Sequence, residues 1–115
     1  MIFVIDDDKM MADCIARACK KPTRVFGDAI EAMNAIGEGE IPDLIFLDIL
    51  LTGPDGFSFL KELISYSDTA KIPVVIVSSL DFSGKDLSVY GVVGALNKDN
   101  MVPKEILAYA ERYAK

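Results

Sequence analysis

The stretch Asp43-Leu44-Ile45-Phe46-Leu47-Asp48 decides how the chain is read. Four consecutive apolar residues between two acids are too short for a helix and read as a strand buried on both faces. Two similar runs flank it. Ile2-Phe3-Val4-Ile5 ends on Asp6-Asp7-Asp8, and Val74-Val75-Ile76-Val77 opens after Pro73 and ends on Ser78-Ser79. Amphipathic stretches separate the runs. Residues from about Lys9 to Lys20 carry Met11, Ile15 and Ala18 at three- and four-residue spacing, and Pro22 ends that helix. Thr23 to Phe26 reads as a short second strand, stopped by Gly27. Residues 28–37 read as a helix capped by Asp28 and closed by Gly37.

Beyond Asp48, Gly53, Pro54 and Gly56 mark residues 49–56 as a loop, with Asp55 and Gly56 as turn and helix-start residues. A helix over residues 57–66 then aligns Phe57, Leu60, Leu63 and Ile64 on one face. After Ser79 the pattern weakens: a short helix at about 84–90, a strand at about 93–97 ending at Lys98, and a last helix opened by Pro103. Apolar strands alternating with amphipathic helices predict an α/β fold whose parallel sheet is covered on both faces. The 115 residues suit one domain, 1–115, and the last helix runs to the end of the sequence, so no output domain is expected within it.

Composition excludes several functions. The net charge is −6 and the densest basic cluster is only Lys20, Lys21 and Arg24. That argues against direct nucleic-acid binding, which needs a basic patch for phosphate contacts. Without histidine there is no Ser–His–Asp triad, and without a CxxC pair no zinc site is expected. Cys14 and Cys19 lie five apart in one helix and point in different directions, so two free thiols and a reducing, cytoplasmic location are expected. The apolar start is five residues long, too short for a signal peptide or a membrane span.

The informative polar residues stand where strands end. Asp6, Asp7 and Asp8 follow the first strand, Asp48 the third, Ser78 the fourth and Lys98 the fifth. In an open parallel sheet, ligands bind at the carboxyl ends of the strands. Clustered carboxylates repel one another unless a cation sits among them, and oxygen ligands in a small site suit Mg²⁺. A carboxylate is also a nucleophile towards a phosphoryl group, whose charge the metal, an ammonium and a hydroxyl then stabilise. Asp8 is set apart as the N-cap of the first helix. Chemistry alone does not choose between Ser78 and Ser79. Met10, Met11 and Met33 read as packing residues.

With VIDDDK (Asp6, Asp7), DLIFLDI (Asp48), PVVIVSS (Ser78) and GALNKD (Lys98) in this order and spacing, the chain resembles a bacterial response-regulator receiver domain. The resemblance covers essentially the whole chain. It implies a flavodoxin-like, doubly wound (βα)5 fold with strand order 2-1-3-4-5. It implies that Asp48 is the phosphoacceptor and that Mg²⁺ is held by Asp7 and Asp48 directly, by Asp6 mainly through water, and by the backbone carbonyl of Leu50. Lys98 would pair with Asp48 and contact the phosphoryl group, and Ser78 would move to hydrogen-bond it. The implied partner is a histidine kinase or histidine phosphotransfer protein. The module would be a phosphoacceptor that assists its own phosphorylation and dephosphorylation, not an enzyme with a separate substrate.

Three positions depart from the family pattern. Thr52 stands where a proline is usual, with Pro54 two residues later, and Asp99 replaces the proline after the lysine. Ala95 stands three residues before Lys98, where receivers usually carry Tyr or Phe as a rotameric switch, so coupling through that aromatic cannot operate in its usual form. Tyr90, the nearest aromatic, reads as a surface-packed helix residue. Leu50 and Leu80, at the positions that tune phosphoryl lifetime, are apolar and predict slow self-dephosphorylation. Val89, Val92, Tyr109 and Tyr113 are candidates for an apolar partner or dimer face over the last two α/β units. The competing readings are a phosphorylation-independent pseudo-receiver, favoured by Ala95, and a flavodoxin-like cofactor binder, which the acids after the first strand disfavour.

Overall fold

The structure, a computed structural model, describes residues 1–49, 56–80 and 86–114. The elements are β1 (Ile2–Ile5), α1 (Lys9–Cys19), β2 (Thr23–Phe26), α2 (Ala29–Gly37), β3 (Leu44–Asp48), α3 (Gly56–Ile64), β4 (Val74–Ser78), a 3-10 turn (Ser88–Tyr90), β5 (Val92–Asn97) and α4 (Pro103–Tyr113). All strand pairs are parallel, and the sheet runs β2-β1-β3-β4-β5. This is the doubly wound, flavodoxin-like order, with the reversal in strand order between β1 and β3.

Successive residues of each strand point to opposite faces, and each face has its own core. Phe3, Ile5, Ile45, Leu47, Val74 and Ile76 pack under α2 and α3. Ile2, Val4, Leu44, Phe46, Val75 and Val77 pack under α1 and α4, with Ile15, Cys19, Ile106 and Ala110 from the helices. The inner strands β1, β3 and β4 are buried at every position. A side chain that fully buried contributes about 1.5–3 kcal/mol, so these strands supply most of the drive to fold.

Local signals set the helix ends. The Asp8 carboxylate accepts from the Met10 and Met11 amides, and Lys20 closes α1 in the left-handed region at φ 54°. Asp28 accepts from the Glu31 amide and caps α2. Pro103 opens α4, where the Val102 N–H donates to Glu105 Oε1 at 3.0 Å.

The expected helix at 84–90 is different where it is described. Asp86 and Leu87 are not helical, and Ser88–Tyr90 form a single 3-10 turn. Asp86 Oδ1 accepts from both the Ser88 N–H and its hydroxyl, bonds that favour a turn over a helix. Gly91, at φ 81°, then reverses the chain into β5. β5 starts one residue earlier than expected, and its register against β4 shifts between Val74 and Val75, leaving Val93 as an extra residue. A Cβ at Gly94 would overlap the Tyr109 hydroxyl, so any larger residue there has to move that ring.

The four residues considered as one apolar face divide between the two sides of the sheet. Val92 packs on the α2/α3 side, as does Tyr90, while Tyr109 and Tyr113 pack on the α1/α4 side. Val89 stays 71 % exposed.

Candidate functional site

The sheet brings the strand-end residues together. Asp48 is the last residue of β3 and Ser78 the last of β4, while Asp6 and Lys98 directly follow β1 and β5. Parallel register keeps these ends level: Ile5 lies beside Leu47, Asp48 beside Val77, and Ser78 beside Asn97. The Lys98 N–H donates to the Ser78 carbonyl at 2.9 Å, tying the last two strand ends together.

Carboxylate oxygens of Asp6, Asp7 and Asp48 all lie within 4.8 Å of one another. Asp6 is 2 % exposed and Asp48 5 % exposed, while Asp7 faces solvent. Lys98 places Nζ 3.1 Å from Asp48 Oδ2 and 3.1 Å from Asp6 Oδ2. The contact with Asp48 is a well-directed hydrogen bond. The contact with Asp6 is not: Oδ2 lies close enough for charge attraction but receives no N–H in good alignment. Asp6 Oδ1 is engaged separately, accepting from the Asp8 amide at 2.9 Å.

Electrostatics follow from burial. The Asp6 carboxyl is held above its ordinary range by loss of solvent, with the Asp48 charge adding, against the Asp8 amide and Lys98. For Lys98, burial pulls downward, but hydrogen bonding to Asp48 and the pairing with Asp6 outweigh it and hold the ammonium above its ordinary value. Three carboxylates facing one ammonium leave net negative charge around partly unsatisfied oxygen. That donor set fits a small, oxygen-preferring divalent cation.

Ser78 is buried, and its Oγ accepts from the Leu80 amide at 3.1 Å. This leaves its O–H as a donor. Ser79 is exposed, so burial at the strand end distinguishes Ser78 from its neighbour. Asp8 is an exposed cap, as expected. Ala95 is exposed on β5, and Leu80 is 55 % exposed. Leu50, Thr52, Pro54 and Asp55 lie outside the described residues.

Sequence reasoning missed the Asp6–Lys98 contact and the Ser78–Leu80 turn. A serine two residues before an amide, at a strand end, is a local signal for the second. The first joins opposite ends of the chain and has no local signal.

Residues 2–111 match the sequence profile of the response regulator receiver domain. The chain belongs to this family. Among curated proteins it is similar to the response regulator PleD of Caulobacter vibrioides, 33 % identical over 88 residues, covering 72 % of this chain and 19 % of PleD. It is also similar to the DNA-binding response regulator MtrA of Mycobacterium tuberculosis, 28 % identical over 130 residues, covering 96 % of this chain and 56 % of MtrA. The chain therefore spans only part of these relatives. Among solved structures, the receiver domain of NtrX from Brucella abortus superposes with a TM-score of 0.82 at 29 % identity, covering 97 % of this receiver and 96 % of that chain. The Francisella response regulator 1452 receiver domain gives 0.81 at 28 % identity, covering 96 % and 93 %. The receiver fold and its place in two-component signalling stand on these matches. Among the described residues, no helix of the receiver is long and apolar enough to cross a membrane.

Proposed function

We propose that the receiver accepts a phosphoryl group on Asp48 from a phosphohistidine in a Mg²⁺-dependent reaction and signals through a changed partner-binding surface. The observation that carries the reading is the Asp48 carboxylate, hydrogen-bonded to Lys98 Nζ at 3.1 Å and grouped with Asp6 and Asp7 at the carboxyl edge of the sheet.

In the reaction a carboxylate oxygen of Asp48 attacks phosphorus. A P–O bond forms, the P–N bond of the donor breaks, and its electron pair returns to the imidazole. Lys98 neutralises charge on the transferring oxygens, and the Ser78 hydroxyl, already placed by the Leu80 amide, donates to one of them. Asp6, Asp7 and Asp48 would hold the metal, with the Leu50 carbonyl proposed as a further ligand. Bound Mg²⁺ supplies charge neutralisation at the phosphoryl oxygens. The proposed donor is the phosphohistidine of a histidine kinase or histidine phosphotransfer protein, which these 115 residues, without histidine, do not supply. The receiver acts as a phosphoacceptor and not as an enzyme on another substrate. It works in the cytoplasm, without direct contact of this domain to nucleic acid or membrane.

Incubation with a small-molecule phosphodonor and Mg²⁺ is expected to add one phosphoryl mass, which Asp48→Asn abolishes. Ala95 favours a second reading, a pseudo-receiver that binds partners without phosphorylation. No mass gain with any donor would select it.

A further inference from the structure

We infer that Asn97 is a positioning residue of the phosphorylation site, because its side chain closes the turn that aims Lys98 at Asp48. The inference rests on the reading of Asp48 as the phosphoacceptor. Between β5 and α4 the amides of residues 98 to 102 are all engaged. The Lys98 N–H donates to the Ser78 carbonyl at 2.9 Å, and the Val102 N–H donates to Glu105 Oε1 at 3.0 Å. The three amides between them all turn to Asn97. The Asp99 N–H donates to its side-chain Oδ1 at 2.8 Å, and the Asn100 and Met101 N–H groups donate to its carbonyl at 3.2 and 2.8 Å.

Lys98 is thus the middle residue of a turn that the Asn97 side chain closes on the Asp99 amide, a local bond that asparagine forms readily. Such a turn fixes the direction in which its middle residue's Cβ leaves the backbone. From there Lys98 reaches out on a flexible four-carbon stem, and Nζ arrives 3.1 Å from Asp48 Oδ2. Two anchors hold the root of that stem: the Ser78 carbonyl on β4 and the Asn97 side chain. Asn97 is itself set by register, beside Ser78 at the end of β5. Asp99 completes the arrangement. It stands where the family usually has a proline, and it keeps the N–H that proline lacks and that Asn97 uses. The departure at residue 99 and the asparagine at 97 are one feature. The bond lies at the surface, so its loss should hardly change the stability of the fold and should act through the aim of Lys98.

The test compares the wild type with Asn97→Ala and with Asn97→Ser, whose hydroxyl accepts the same N–H more weakly. Phosphorylation by acetyl phosphate at saturating Mg²⁺ is followed by mass, and melting by circular dichroism. Removing a charge-stabilising group outright costs about 100-fold or more in rate. Loosening one should cost less, so Asn97→Ala is expected to react more slowly on the order of tenfold, with Asn97→Ser between it and the wild type. All three should melt within about 3 °C of one another. The Lys98 ε-methylene protons should give two resolved NMR signals in the wild type and in Asn97→Ser, and these should merge in Asn97→Ala. A wild-type rate or an unchanged pair of signals in Asn97→Ala overturns the inference and leaves Asp48 standing as the phosphoacceptor. An Asn97→Ala that fails to fold, or whose rate Asn97→Ser does not improve on, overturns it too, since the residue would then act on the fold alone. No mass gain by the wild type overturns the Asp48 reading and the inference with it.

Discussion

Replacing Asp6 by Asn is expected to make the receiver more stable while impairing its site. Asp6 is 2 % exposed, and its Oδ2 receives no directed hydrogen bond. An amide of the same shape still accepts from the Asp8 N–H through its oxygen and no longer carries a charge out of water. The losses are one undirected ion pair and the acceptor facing Lys98 Nζ, which then meets the amide N–H₂, while Lys98 keeps Asp48. Relief of desolvation outweighs those losses by about 1–2 kcal/mol at pH 7. For a chain of this size each kcal/mol moves the melting temperature by roughly 3–6 °C. The sign of the pH dependence follows from the raised Asp6 carboxyl. The folded protein holds that proton more tightly than the unfolded chain, so the wild type loses stability as pH rises from 3.8, the ordinary value, through the folded value. The Asn variant lacks this loss. The gap between the two is therefore full at pH 7 and closes as pH falls towards 3.8. Thermal melts followed by circular dichroism at several pH values, with chelator present, measure it. Saturating Mg²⁺ should narrow or reverse the gap, because it stabilises only the protein that binds it. A variant less stable than the wild type at pH 7, or a gap independent of pH, would refute the argument.

Three further outcomes are expected. Cys19 is buried and its thiol is pushed up to about 11, while Cys14 is exposed, so a disulfide-exchange reagent at pH 8 should titrate one thiol in the native protein and two in urea. Gly94→Ala should cost about 1–2 kcal/mol in urea unfolding, because the new methyl displaces the Tyr109 ring. Tyr109→Ala in that background should add less destabilisation than it does alone. The aspartyl phosphate should persist for many minutes, since neither Leu50 nor Leu80 can orient an attacking water; decay within seconds in a phosphate-release assay would count against that role.

Much of this molecule was legible in its sequence where a residue had one job. The runs Ile2–Ile5, Leu44–Leu47 and Val74–Val77 are buried at every position, so apolar continuity alone announces them. Asp8, Asp28 and Pro103 stand at helix starts because their chemistry suits few other places. Legibility fell at the sheet edge. Residues 86–90 are short and mix polar Asp86 and Ser88 with apolar Leu87, Val89 and Tyr90, and a hydrogen bond accepted by the Asp86 side chain decides between turn and helix there. Beside the register shift at Val93, Gly94 leaves room for Tyr109, a contact between distant residues. The site divides the same way. The ordered strand ends put Asp6, Asp48, Ser78 and Lys98 on one edge, but the sharing of Lys98 between two carboxylates depends on side-chain direction, which spacing does not carry.

The burial of β1, β3 and β4 at every position has a consequence for how the chain finds its alignment. A strand with one wet face is held in phase by its alternation, since a slip of one residue would turn apolar groups into water. These three strands have no wet face, and sliding one past another exchanges one aliphatic contact for the next. What arrests the slide is the polar residue at each carboxyl end. Moved one place inward, Asp6, Asp48 or Ser78 would enter a dry core without its partners. The residues that form the site are thus also the phase marks of the sheet, and a chain that aligned wrongly would be penalised most at these polar atoms.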